Sequence, residues 1–192
     1  MLREGGERVI YFERAGKENT EATLKVAIEE ADKRGIRHLV VASTYGDTGL
    51  RAAQMLQGKG IKLIVVTHNV GFAEEGKDQF DPEKRRRIES LGGVVYTGTM
   101  VLRNLGTAIR DLQGYSQQDL VANTLRIFGQ GMKVCVEIVA MAADAGLIPF
   151  ADVIAVAGTS RGADTAVLIR ANSSNRFFEI KVREILAKPR DF

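Results

Sequence analysis

The chain is predicted to fold as an α/β domain in three layers, α/β/α, around a mostly parallel sheet. Strand-like runs alternate with helix-patterned segments from end to end, and several of those runs are apolar at every position. Continuous apolar strands are the kind covered on both faces, and alternating β and α elements close onto a parallel sheet through right-handed crossovers. No segment is long or polar enough to act as a linker, so residues 1–192 are expected to form a single domain, a length that buries an adequate core.

The elements follow in order. Val9-Ile10-Tyr11-Phe12 is a short β-type run. Asn19 or Thr20 opens a helix that places Leu24, Ala27, Ile28 and Ala31 on one face, and Gly35 stops it. His38 to Ser43 is a buried strand, Asp47 to Gln57 a helix closed by Gly58 and Gly60, and Ile61 to Thr67 the next buried strand. Asp81-Pro82 is a helix start with an acidic cap and proline in the first turn, and that helix ends at Gly92-Gly93 before the strand Val94-Val95-Tyr96. Ser116 to Gly146 reads as helical, with a Ser116 cap, Asp119 three residues on, and an interruption at Gly129-Gln130-Gly131. Val153 to Ala157 and Ala166 to Ile169 complete the strands.

Composition narrows the function classes. Lys plus Arg number 27 against 24 for Asp plus Glu, a balance compatible with an anionic ligand that selects no partner by itself. The absence of Trp and the 6% aromatic content argue against a stacking surface for nucleic acid. The one basic cluster, Lys84-Arg85-Arg86-Arg87, is mixed with Glu83 and Glu89 and reads as a solvated helix face. A single cysteine, Cys135, forms no intramolecular disulfide and sits in an apolar run, so it reads as a small buried hydrophobe. Met1 to Gly6 is polar, without a signal-peptide pattern, and no apolar run reaches membrane-spanning length; a cytoplasmic location is expected.

Two strands run into similar polar turns, Ser43-Thr44-Tyr45-Gly46-Asp47-Thr48-Gly49 and Gly158-Thr159-Ser160-Arg161-Gly162-Ala163-Asp164-Thr165. In a parallel sheet both turns lie at the carboxyl edge, where ligands bind. Small residues admit a ligand close to the backbone, and free N–H groups at a helix start attract an anion. Ser43, Thr44 and Thr48 supply hydroxyl donors, and Arg161 is the fixed cation within these turns. Neither turn matches the dinucleotide fingerprint or the P-loop, which excludes a nicotinamide dehydrogenase or NTPase reading. Either Asp47 caps its helix and Asp164 holds its turn, or both reach sugar hydroxyls or a phosphate-bound magnesium ion. A third turn, Thr67-His68-Asn69-Val70-Gly71-Phe72, offers Thr67, His68, Gly71 and Phe72 as walls, and Asn19 and Thr20 reach in from the first loop. Glu137 interrupts the apolar run Val134 to Met141 and is read either as paired with Lys133 one turn earlier or as a pocket base. His68, Lys133 and Glu137 are therefore the candidate catalytic groups, and no metal site is expected.

The segment from His38 through Thr48 resembles the strand and phosphate-gripping loop of the pyruvate kinase C-terminal domain. The whole chain is similar to small stand-alone prokaryotic proteins of that superfamily, through Glu18-Asn19-Thr20, Val40 to Thr48, Val65 to Phe72, Gly131 to Pro149 and Val153 to Arg170. The resemblance implies a mostly parallel sheet with an antiparallel edge strand, and FMN as the ligand, in a family whose physiological activity is unassigned. No counterpart of the pyruvate kinase catalytic barrel is present, so kinase chemistry does not carry over. The expectation is a small-molecule phospholigand-binding protein, with an enzyme as the alternative: a flavin-dependent oxidoreductase, or a hydrolase or transferase acting on a phosphorylated metabolite. An exposed sheet edge is compatible with a homo-oligomer.

Overall fold

A computed structural model describes residues 9–192; the polar start Met1 to Gly6 lies outside them. The chain runs β1 (Ile10–Arg14), α1 (Thr20–Lys33), β2 (His38–Ala42), α2 (Asp47–Met55), β3 (Lys62–Thr67), α3 (Pro82–Ser90) and β4 (Val94–Thr97). It continues through α4 (Asn104–Gln113), α5 (Gln117–Arg126), α6 (Gln130–Asp144), β5 (Asp152–Ala157), β6 (Thr165–Arg170) and β7 (Lys181–Asp191). The strands form one seven-stranded sheet in the order β1-β7-β6-β5-β2-β3-β4. Pairing is parallel between β1 and β7 and throughout β5-β2-β3-β4, and antiparallel only on the two sides of β6.

The antiparallel strand therefore lies inside the sheet rather than at its edge. The reason is the chain beyond residue 170: β7 continues past β6 and β1 then adds outside it. β7 is not legible as a strand because Lys181, Arg183, Glu184 and Pro189 break any apolar alternation. It tolerates Pro189 where the register meets Phe12 of β1, beyond the residues that pair with β6.

Alternate residues of the central strands supply two cores. Leu39, Val41, Leu63, Val65, Ile154 and Val156 pack beneath α1, α2 and α3, with Leu24, Ala27, Ala52 and Ile88 from those helices. Val40, Ile64, Val66, Val153 and Ala155 pack under α6 on the opposite face. Both faces are covered, as the continuous apolar strands require. Cys135 is fully buried in this second core, and burial pushes its thiol well above the ordinary range.

The expected helix starts are present in detail. The Asp81 carboxylate accepts from the N–H groups of Glu83 and Lys84, and Ser116 Oγ accepts from Asp119 N at 3.1 Å. Ser116 to Gly146 divides at Gly129 into α5 and α6. Helix α4 carries Leu105, Ala108, Ile109 and Leu112 at helical spacing, yet Leu105 and Leu112 stay exposed and no side chain caps its start. Gly106 is its one buried residue, placed where a Cβ would meet Cβ of Gln118 at 2.7 Å. Among the described residues no helix is long and apolar enough to cross a membrane.

Candidate functional site

β2 and β5 are neighbours and run parallel, so the turns that follow them emerge side by side at the carboxyl edge. Together with the turn after β3 and the inner face of α6 they enclose a cavity of about 430 Å³. That volume falls in the range of roughly 300–1,000 Å³ usual for small-molecule sites.

The turn after β2 leads into the start of α2. Ser43 N donates to Val66 O at 3.0 Å, and Ser43 Oγ accepts from Gly49 N at 3.2 Å, which fixes the loop to the sheet. The first-turn N–H groups of Asp47 and Thr48 have no acceptor among the described residues, the arrangement that favours an oxyanion at a helix start. Ser43, Thr44, Asp47 and Thr48 all line the cavity. Gly46 does not. It is the left-handed N-cap of α2, at φ 96°, the place expected of Asp47, and a Cβ there would meet Lys84 Cβ at 2.9 Å, so its role is to turn the chain. Asp47 is salt-bridged to Lys84 with its side chain 68% exposed. Lys84 is thereby engaged within the chain, as is Arg85, which bonds Thr97 Oγ1 at 3.0 Å and lies over the Phe80 ring.

The turn after β5 differs from the expectation. It joins two antiparallel strands, so no helix start stands behind it. Its free donors lie in the backbone instead. Thr159 N donates to Asp164 Oδ2 and Ala163 N to Thr20 Oγ1, each at 3.0 Å, whereas the amides of Ser160, Arg161 and Gly162 have no acceptor among the described residues. Ser160 has φ 62° and Gly162 φ 76°, so consecutive amides converge on the space they border. Gly158, Ser160, Arg161 and Gly162 line the cavity; Thr159, Ala163, Asp164 and Thr165 do not. Asp164 is fully buried and accepts from Thr159 N and Thr165 Oγ1, so it holds the turn and is not available to ligand hydroxyls or a magnesium ion. Thr20 lines the cavity, but Asn19 spends its amide on Arg14 O at 2.8 Å outside it.

From the turn after β3, Thr67, His68 and Phe72 line the cavity, and Gly71 lies away from it. The His68 and Phe72 rings stack at 3.8 Å, and the Arg103 guanidinium lies 4.4 Å from the Phe72 centroid, giving a column of three planar groups. Burial lowers the His68 pKa below its ordinary value, although Gln79, in contact with Nδ1 at 3.2 Å, works in the opposite direction.

Lys133 and Glu137 both reach the cavity, at 3% and 1% side-chain exposure, and are paired with one another. Glu137 Oε1 also accepts from Leu102 N at 2.7 Å. Glu137 is therefore paired with Lys133, as the first reading expects, and the pair borders the cavity. Burial lowers the Lys133 pKa, while Glu137 counters that shift.

Sequence reasoning missed Lys17, Arg103 and Arg126. All three line the cavity, and none lies in the polar turns that follow β2, β3 and β5. Among the described residues Lys17, Arg103, Arg126 and Arg161 have no carboxylate partner; Arg126 bonds only Asn123 and Gln130, and Arg161 lies over the Tyr45 ring at 4.8 Å. Asp47 and Glu137, the carboxylates of the lining, are each already paired with a lysine. The cavity carries an excess of positive charge.

No protein-family model matches the chain. Among solved structures, a pyruvate kinase from Cryptosporidium parvum is similar over 80% of this chain and 23% of its own, at 15% identity and a TM-score of 0.44. A pyruvate kinase of the same organism in complex with ADP gives 16% identity over 80% of this chain and 24% of that one, with a TM-score of 0.44. A hydrogen sulfide-producing enzyme from Fusobacterium nucleatum is 21% identical over 57% of this chain and 32% of its own, with a TM-score of 0.32. The chain spans about a quarter of the length of the pyruvate kinases it matches.

Proposed function

We propose that this protein belongs with the pyruvate kinase C-terminal domain-like proteins and binds a phosphate-bearing small molecule, FMN, in the cavity at the carboxyl edge of its sheet. One observation carries the reading: two loops present unpartnered backbone amides to a cavity whose lining cations outnumber its carboxylates. In this reading the phosphate takes the amides of Asp47, Thr48 and Ser160 to Gly162, with the Thr44 and Thr48 hydroxyls and Arg161 beside it. Met100, Val134, Ile138 and Met141 give the apolar wall that a planar ring needs.

The test is the visible spectrum of freshly purified protein, mass spectrometry of what denaturation releases, and FMN titration of the stripped chain. FMN retention that drops in Thr48→Val and Arg161→Gln supports the assignment. A colourless protein that takes up no added FMN overturns it.

A second reading, an enzyme, is favoured by the meeting of His68, Lys133 and Glu137 at one cavity, where buried titratable groups are typical of acid–base chemistry. Glu137→Gln separates the two: loss of turnover with ligand kept marks an enzyme.

A further inference from the structure

The loops account for only one end of the positive charge. Arg103, Arg126 and Lys133 reach the cavity from the residue before α4, from α5 and from α6. The Arg103 guanidinium makes no hydrogen bond or ion pair among the described residues and is held only by its contact with the Phe72 ring. Arg126 is fixed through neutral groups, Asn123 Oδ1 and Gln130 Oε1, both at 2.7 Å, so its charge is oriented and left uncompensated. Both arginines also push the Lys133 pKa down, after the larger effect of burial, so the three cations lie close enough to feel one another. Glu137 is the one carboxylate of the lining near them. Lys133 is buried, Arg126 half-buried and Arg103 exposed, and an anion placed among them would offset their mutual repulsion.

The two ends differ in chemistry. The loops offer converging amides and hydroxyls, which suit a tetrahedral phosphate. The helical wall offers planar guanidinium forks, which suit a planar carboxylate. We infer that the cavity has a second anion subsite, formed by Arg103, Arg126 and Lys133, that takes an organic carboxylate beside the ligand held by the loops. The inference builds on the proposed phospholigand at the loop end.

The experiment is calorimetric titration of the full chain, with and without FMN, using succinate, its neutral dimethyl ester and inorganic phosphate. Saturable succinate binding is expected, absent for the ester and weakened on the order of tenfold by Arg103→Gln or Arg126→Gln, as for loss of one charge-assisted pairing. FMN affinity is expected to stay within about twofold in those variants, while Thr48→Val gives the reverse pattern. Arg103→Gln breaks no internal hydrogen bond, so it serves even if Arg126→Gln disturbs α5. No saturable succinate binding, equal losses in both sets of variants, or phosphate binding that depends on Arg103 where succinate does not bind would each overturn the inference. If FMN fails to bind at all but succinate still depends on Arg103 and Arg126, the subsite stands and the flavin assignment falls.

Discussion

Lys133 donates from Nζ to Oε2 of Glu137 one helical turn on, with both side chains removed from solvent and the other carboxylate oxygen held by Leu102 N. A buried pair of this kind contributes little compared with an apolar replacement of both members, yet breaking it is costly. Glu137→Ala strands an ammonium and an amide at once, and a loss of about 3–5 kcal/mol is expected in urea unfolding. Glu137→Gln keeps an acceptor for Leu102 N and should cost clearly less. Equal, sub-kilocalorie effects in both variants would show that the pair does not hold α6 to the segment before α4.

Gly131 lies in the first turn of α6, where a Cβ would stand 2.2 Å from Thr165 Oγ1 and 3.0 Å from Asp164 Oδ1. Alanine gains roughly 1 kcal/mol of helix propensity but must push against a turn fixed by buried hydrogen bonds, an overpacking cost of about 1–3 kcal/mol. Gly131→Ala is expected to lower Tm and to weaken ligand retention, because the displaced turn lines the cavity. An unchanged or raised Tm would contradict this close approach.

Ser116 is 3% exposed and caps α5 through Asp119 N. Ser116→Ala should cost about 1 kcal/mol in denaturant unfolding. Ser116→Asp should recover most of it, and failure of both to differ from the parent would remove the cap as a stabilising feature.

His68 gives a pH dependence with a definite sign. Burial holds its folded pKa below the ordinary 6.5, so on acidification the unfolded chain takes up a proton that the native site declines. The native state therefore keeps its stability above pH 6.5 and loses it progressively as pH falls through the lowered folded value. His68→Gln should flatten this part of the stability-against-pH curve. His38, also lowered by burial, leaves a residual slope of the same sign. An identical slope in parent and variant would place the proton uptake elsewhere.

Much of the fold is legible because its cause is local. The runs His38 to Ala42, Lys62 to Thr67 and Asp152 to Ala157 are strands between two helical layers, and their apolar continuity states as much. Asp81-Pro82 and Ser116 announce helix starts through groups that satisfy backbone N–H within a few residues. β7 and α4 were not legible. β7 is held by β6 and β1 while its own residues carry charge, and α4 has an apolar stripe but no capping side chain to mark its start.

The candidate site divides in the same way. Sequence alone determined that two polar, glycine-bearing turns follow buried strands, and from this that they share one edge, because small residues and hydroxyls at strand ends are a local signal. Tertiary structure decided which of those residues face the cavity. Asp164 turned inward to hold its loop, Asn19 was taken by Arg14 O, and Lys17, Arg103 and Arg126 arrived from elsewhere. An uncompensated charge is a property of the three-dimensional neighbourhood: whether an arginine has met a carboxylate depends on packing between distant segments, which no short stretch of sequence contains.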